Sequence, residues 1–135
     1  MTLFLDTSGI YAVLDRDDAC HDRARRAWVD VIEDGRTLLT TNYVLVETFA
    51  LVQRRLGLPA LRAFCGDVLP LVHQHWVDQD DHAAALAAVL AADRRALSLV
   101  DTTSFQVMRR LGLREAFTFD VHFAEHGFAA VPGAA

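Results

Sequence analysis

Three aspartates, Asp6, Asp101 and Asp120, each follow an apolar run and each precede a helical pattern. In an α/β arrangement such positions gather at one edge of a sheet, outside the carboxyl ends of its strands, where open sheets bind ligands. The competing reading of each aspartate is a cap on the helix it precedes. A fourth acid, Glu47, has Tyr43, Val44, Ala50 and Leu51 as its helical neighbours, which reads as a buried stripe. An ionised carboxylate there is costly unless it is paired or ligates a cation; the alternative is a helix rotated so that Glu47 reaches solvent. Four converging carboxylates repel one another until a divalent cation neutralises them. Magnesium, for which manganese commonly substitutes, takes oxygen ligands from one or two carboxylates and from phosphate oxygens, which suits phosphodiester hydrolysis with one or two ions.

Other candidates are weaker. His122, two residues after Asp120, has the chemistry to assist a leaving group, but packing within the DVHF turn is the commoner fate of such a histidine. His73, His75, Cys20, His21 and Cys65 match no usual zinc spacing. The arginine pairs Arg25/Arg26, Arg54/Arg55, Arg94/Arg95 and Arg109/Arg110 suit either phosphate contacts or solvated helix faces.

The elements that must position the acids follow from apolar periodicity. Leu3 to Leu5 reads as a strand, and Ser8 to Leu14 as a helix. Helices are expected over His21 to Asp34, Asn42 to Leu56, from about Ala60, over Asp80 to Asp93 and over Thr102 to Leu111. Thr37 to Thr40 reads as a strand, a third is expected around Trp76 and Val77, and Ala129 to Val131 as the last. Leu97 to Val100 and Ala116 to Phe119 are apolar runs ending at Asp101 and Asp120. This alternation implies a parallel sheet with helices on both faces and right-handed crossovers.

Composition narrows the function classes. The chain has 135 residues, 53% of them hydrophobic, which suits one core and one domain over 1–135, with a loose tail from about residue 132. Its net charge of −5 argues against holding nucleic acid by bulk positive charge. All 13 basic residues are arginine. The absence of lysine excludes Schiff-base chemistry and a Walker-A loop, and counts against a receiver-type phosphoacceptor. Two cysteines without CxxC spacing fit a reducing cytoplasm, and no signal peptide or membrane span is expected. A catalytically silent interaction module is the remaining rival.

Three segments, FLDTSGIYAVLDRDDACH, TTNYVLVETFALVQRRLG and LSLVDTTSFQVMRRLGLREAFTFDVHFAEHGF, together resemble the PIN-domain family, in particular the VapC-like toxins of bacterial toxin–antitoxin pairs. The resemblance implies a three-layer α/β fold with a central parallel sheet, and metal-dependent endoribonuclease activity. It matches Asp6, Glu47 and Asp101 to the family's three central acids and Asp120 to its more variable fourth. It also implies a homodimer inhibited by a small antitoxin, and hydroxyls at Thr7, Thr102 and Ser104 that bond carboxylates or metal waters. PIN-like nucleases outside toxin pairs are the alternative.

Overall fold

A computed structural model describes residues 1–133. Its first strand, β1 (Thr2–Leu5), is apolar on both faces, and Leu3, Phe4 and Leu5 are all fully buried. A strand with no wet face must be covered by helices above and below, as parallel sheets are. The sheet is five-stranded in the order β3-β2-β1-β4-β5, with every neighbouring pair parallel. The other strands are β2 (Thr37–Thr41), β3 (Val72–His75), β4 (Glu115–Phe117) and β5 (Ala129–Val131).

The order has a consequence for function. From the central β1 the chain winds outward through β2 to β3, then returns to the other side of β1 and continues outward through β4 to β5. Connections therefore leave β1 and β4 in opposite directions, which opens a crevice at their carboxyl ends. Leu5 pairs with Phe117, and the next amide, that of Asp6, donates to the Phe117 carbonyl at 3.1 Å. Asp6 thus sits in that crevice.

Among the described residues, seven α-helices surround the sheet: α1 (Thr7–Leu14), α2 (His21–Glu33), α3 (Asn42–Leu56), α4 (Leu58–Ala63), α5 (Gln79–Ala92), α6 (Leu99–Leu111) and α7 (Val121–Glu125). A π-helical turn over Phe64–Val68 continues α4. Helix α3 starts where Thr41 accepts from the Val44 amide and stops at Gly57, whose φ of +87° suits glycine. Helix α1 packs against α2 and α3, and α5 against α6.

The third strand lies earlier than expected. Pairing with β2 runs out at His75, and the Val77 amide donates to the Asn42 side chain at 2.6 Å instead of to a strand. Trp76 is left 68% exposed. The apolar run Leu97 to Val100 is not a strand either. Ser98 caps α6, its hydroxyl accepting from the Asp101 amide at 3.0 Å while the Asp101 carboxylate faces the Ser98 amide at 3.4 Å. A capping box is a strong local helix start, and it overrides the strand-like apolarity. Of the tail expected to be loose, residues 134–135 lie outside the described residues, and Gly133 before them accepts a hydrogen bond from Arg23 at 2.6 Å.

Candidate active site

Asp6 is the buried centre of the crevice, only 4% exposed. Two hydroxyls fix it: Ser8 Oγ donates to Oδ2 at 2.7 Å and Thr118 Oγ1 to the same oxygen at 2.8 Å. Each hydroxyl is itself oriented by a backbone amide, that of Phe119 on Ser8 at 2.9 Å and that of Asp120 on Thr118 at 3.0 Å. The loop after β4 is thereby tied to the helix after β1 through one carboxylate. Burial raises the Asp6 pKa to about 6, the two hydroxyls offset part of that rise, and the charges of Asp101 and Asp120 add to it.

Asp101 and Asp120 reach the crevice from different elements. Asp101 projects from the first turn of α6, and its pKa is raised by burial and by Asp120. Asp120 caps α7, with Oδ1 accepting from the His122 amide at 2.9 Å. Asp101, Asp120 and His122 each offer a ligand atom within 4.8 Å of the others. Nδ1 of His122 lies 2.8 Å from Asp120 Oδ1 but is not aligned for a hydrogen bond, and it has no partner among the described residues. The fully buried Ser104 hydroxyl is likewise unpartnered. Two carboxylates within reach of each other, Asp101 with its pKa raised, and a buried nitrogen without a hydrogen-bond partner are a donor set that a divalent cation satisfies, so the residues fit the ion expected from the sequence.

Glu47 does not occupy a buried stripe. The core side of α3 is Val44, Leu45, Thr48 and Val52, which turns Glu47 outward beside the exposed Val46. Neither Glu47 nor Asp6 belongs to the 4.8 Å group. Thr7 bonds α3 instead of an acid, through Thr48 Oγ1 at 3.1 Å and the Val44 carbonyl at 3.4 Å. Thr102 donates back to the Ser98 carbonyl at 3.1 Å, as mid-helix threonines often do. The hydroxyls that touch the acids are Ser8 and Thr118, two residues from Asp6 and Asp120 in DTS and TFD. Their only sequence signal was that spacing.

Several arginines of the pairs have structural partners. Arg110 forks onto Asp81, Arg94 pairs with Glu125, and Arg55 and Arg109 lie over Tyr11 and Phe128. The single Arg23 stands over Phe119 in a cleft of about 480 Å³ that Asp120 also lines.

Thr118→Val tests the hydroxyl support. It removes a donor to Asp6 and strands the Asp120 amide, so stability should fall by about 1–3 kcal/mol. The Asp6 carboxyl should also titrate above the wild-type value in carbon-detected NMR. An unchanged titration would show that Thr118 does not tune this carboxylate.

A family profile described as the PIN domain matches residues 3–129. Over 130 residues, 96% of this chain and 97% of the relative, the sequence is 35% identical to a Mycobacterium tuberculosis protein described as 23S rRNA-specific endonuclease VapC20. The crystal structure of Mycobacterium tuberculosis VapC20, described as a Sarcin-Ricin loop cleaving toxin, superposes with a TM-score of 0.81 at 34% identity, covering 94% of this chain and 96% of that one. VapBC2 from Rickettsia felis, solved bound to a DNA fragment from their promoter, superposes with a TM-score of 0.66 at 10% identity, covering 96% and 97%. At that identity the likeness speaks for the fold.

Proposed function

The chain belongs to the PIN-domain family, and from that premise we propose that it is a metal-dependent endoribonuclease, the toxin of a toxin–antitoxin pair. The observation that carries the reading is the convergence of Asp6, Asp101 and Asp120 at the switch point between β1 and β4. Asp101 and Asp120 are assigned as cation ligands, with Asp6 as the buried anchor. Glu47 is assigned as the solvent-side acid, supported by the family motif and by its place next to Thr48, which bonds Thr7 beside Asp6.

Magnesium, or manganese in its place, would be held by Asp101 and Asp120, and when bound it would supply positive charge against the phosphate and lower the cost of deprotonating an attacking water. The protein's own contribution is positioning. Ser8 and Thr118 hold Asp6 in one rotamer, the α6 capping box holds Asp101, and the α7 turn holds Asp120. Unpartnered Ser104 keeps the assignment of hydrogen-bonding a site water, whereas Thr7 and Thr102 support the site through α3 and the start of α6. Arg23, beside Asp120, is placed to meet an RNA phosphate.

Among the described residues no helix is long and apolar enough to cross a membrane, and a cytoplasmic toxin is the reading that fits its cysteines and its RNA substrate. A small antitoxin would seat apolar side chains in the crevice between α1 and α2, lined by Val13, Leu14, Trp28 and Val29. Self-association into a homodimer is part of the same proposal and is read by light scattering.

Ribosomal RNA is the first substrate to offer, because the relative's name specifies it. Purified protein should cut it with magnesium, stop in chelator, and recover with magnesium or manganese. Cutting that persists in chelator would overturn the metal mechanism. Cleavage that no product of a neighbouring reading frame inhibits would place the chain among nucleases outside toxin pairs.

A further inference from the structure

We infer that His122 is a nitrogen ligand of the metal site, so that the site discriminates in favour of manganese over magnesium. The inference rests on the proposed metal-dependent reading and extends it to the identity of the ion. Two ligands at about 2.1 Å and at right angles around one cation stand about 3 Å apart. His122 Nδ1 and Asp120 Oδ1 are 2.8 Å apart, and with Asp101 all three donors fall within 4.8 Å.

The contact is not an aligned hydrogen bond. The imidazole nitrogen approaches the carboxylate at hydrogen-bond distance but without hydrogen-bond alignment, and it finds no other partner among the described residues. Oδ1 already accepts from the His122 amide at 2.9 Å, which seats the carboxylate on the turn that carries the ring. A side chain only 16% exposed, with its nitrogen unpaired, bears the cost of burying a polar atom. Ligation through Nδ1, with the proton on Nε2, removes that cost. The turn itself is anchored from below, because Phe123 is fully buried and stacks edge-on against Phe105 of α6, the helix that carries Asp101. The two ligand-bearing helices are therefore packed against each other.

Imidazole is a poor ligand for magnesium, which strongly prefers oxygen; manganese also favours oxygen but accepts an imidazole nitrogen more readily than magnesium does, and later divalent ions bind it more strongly still. A site of two carboxylates and one imidazole should therefore run with magnesium yet hold manganese more tightly.

The test is manganese binding to the full chain, read by calorimetry and by pulsed electron paramagnetic resonance, neither of which depends on cleavage. Wild type should bind manganese at least about tenfold more tightly than magnesium and show nitrogen coupling to the ion. That coupling should change to the heavier-isotope pattern when the histidines are labelled with nitrogen-15. His122→Ala should lose the coupling and weaken manganese by about tenfold or more, with a smaller effect on magnesium, while melting close to wild type; His122→Gln serves if the alanine variant does not fold. Bound manganese without nitrogen coupling overturns His122 ligation and leaves the acidic site standing. No manganese binding by wild type overturns this inference and the metal reading together.

Discussion

Asp6→Asn is expected to reduce RNA cleavage at least about 100-fold while making the metal-free protein more stable. The two effects share one cause. Asp6 is almost fully buried and faces Asp101 and Asp120, and its carboxyl is raised from 3.8 to about 6. A raised carboxyl means that the folded state favours the protonated form. Its contribution to stability is thus fully present below about pH 3.8 and is lost as the pH rises through about 6. At pH 7 the buried carboxylate costs up to about 3 kcal/mol, at roughly 1.4 kcal/mol per pKa unit. Asparagine keeps an oxygen for the Ser8 and Thr118 hydroxyls and carries no charge to bury. The metal-free variant should therefore melt above wild type at pH 7, and the difference should shrink as the pH falls towards 4. Added magnesium should stabilise wild type more than the variant, by mass action on the folded state. Wild-type cleavage by the variant, or a clear loss of metal-free stability at pH 7, would remove Asp6 from its assigned place. Glu47→Gln offers the contrast, since an exposed glutamate away from the core side of α3 should change stability by no more than about 0.5 kcal/mol.

Gly9→Ala should destabilise the fold by about 3 kcal/mol or more, although helix propensity alone predicts a gain of about 1 kcal/mol. Gly9 lies inside α1, against the end of β4. A methyl group there would sit 2.3 Å from Phe117 Cδ1, 2.4 Å from the Phe117 carbonyl oxygen and 2.8 Å from its carbon. The phenyl ring can turn, but the carbonyl cannot yield cheaply, because it is the acceptor of the Asp6 amide. Relief requires α1 to move off the sheet, taking Ser8 and Asp6 away from Thr118. Stability should fall, and whatever protein still folds should bind metal poorly. An unfolding free energy from urea titration within about 1 kcal/mol of wild type would mean that α1 and β4 are less tightly apposed than the structure has them.

Much of the fold was legible in residue order because it rests on local chemistry. Helix α3 spans Asn42 to Leu56, as its sequence predicts, since a threonine cap opens it and Gly57 closes it within the segment itself. Strand β1 and the aspartate after it were legible for a similar reason: an unbroken apolar run stopped by a charge has few other readings in an alternating α/β pattern. Where local signals competed, the reading missed. Leu97 to Val100 is apolar enough for a strand, but the reciprocal Ser98 and Asp101 bonds start a helix, so Asp101 reaches the site from α6 and not from a sheet edge.

By itself, then, the sequence determined the α/β class, the parallel alternation and the candidate acids, because spacing and apolarity act along the chain. Only the tertiary structure decided what each side chain faces. The rotation of α3 that exposes Glu47 is set by its packing against the rest of the core, not by its own residues alone. Ser8 and Thr118 are 110 residues apart, and they converge on Asp6 only because β1 and β4 pair in one register. His122 reads as a packed turn residue in sequence; its unpaired nitrogen joins a set of three donors only once α6 brings Asp101 beside the turn that already holds Asp120 and His122.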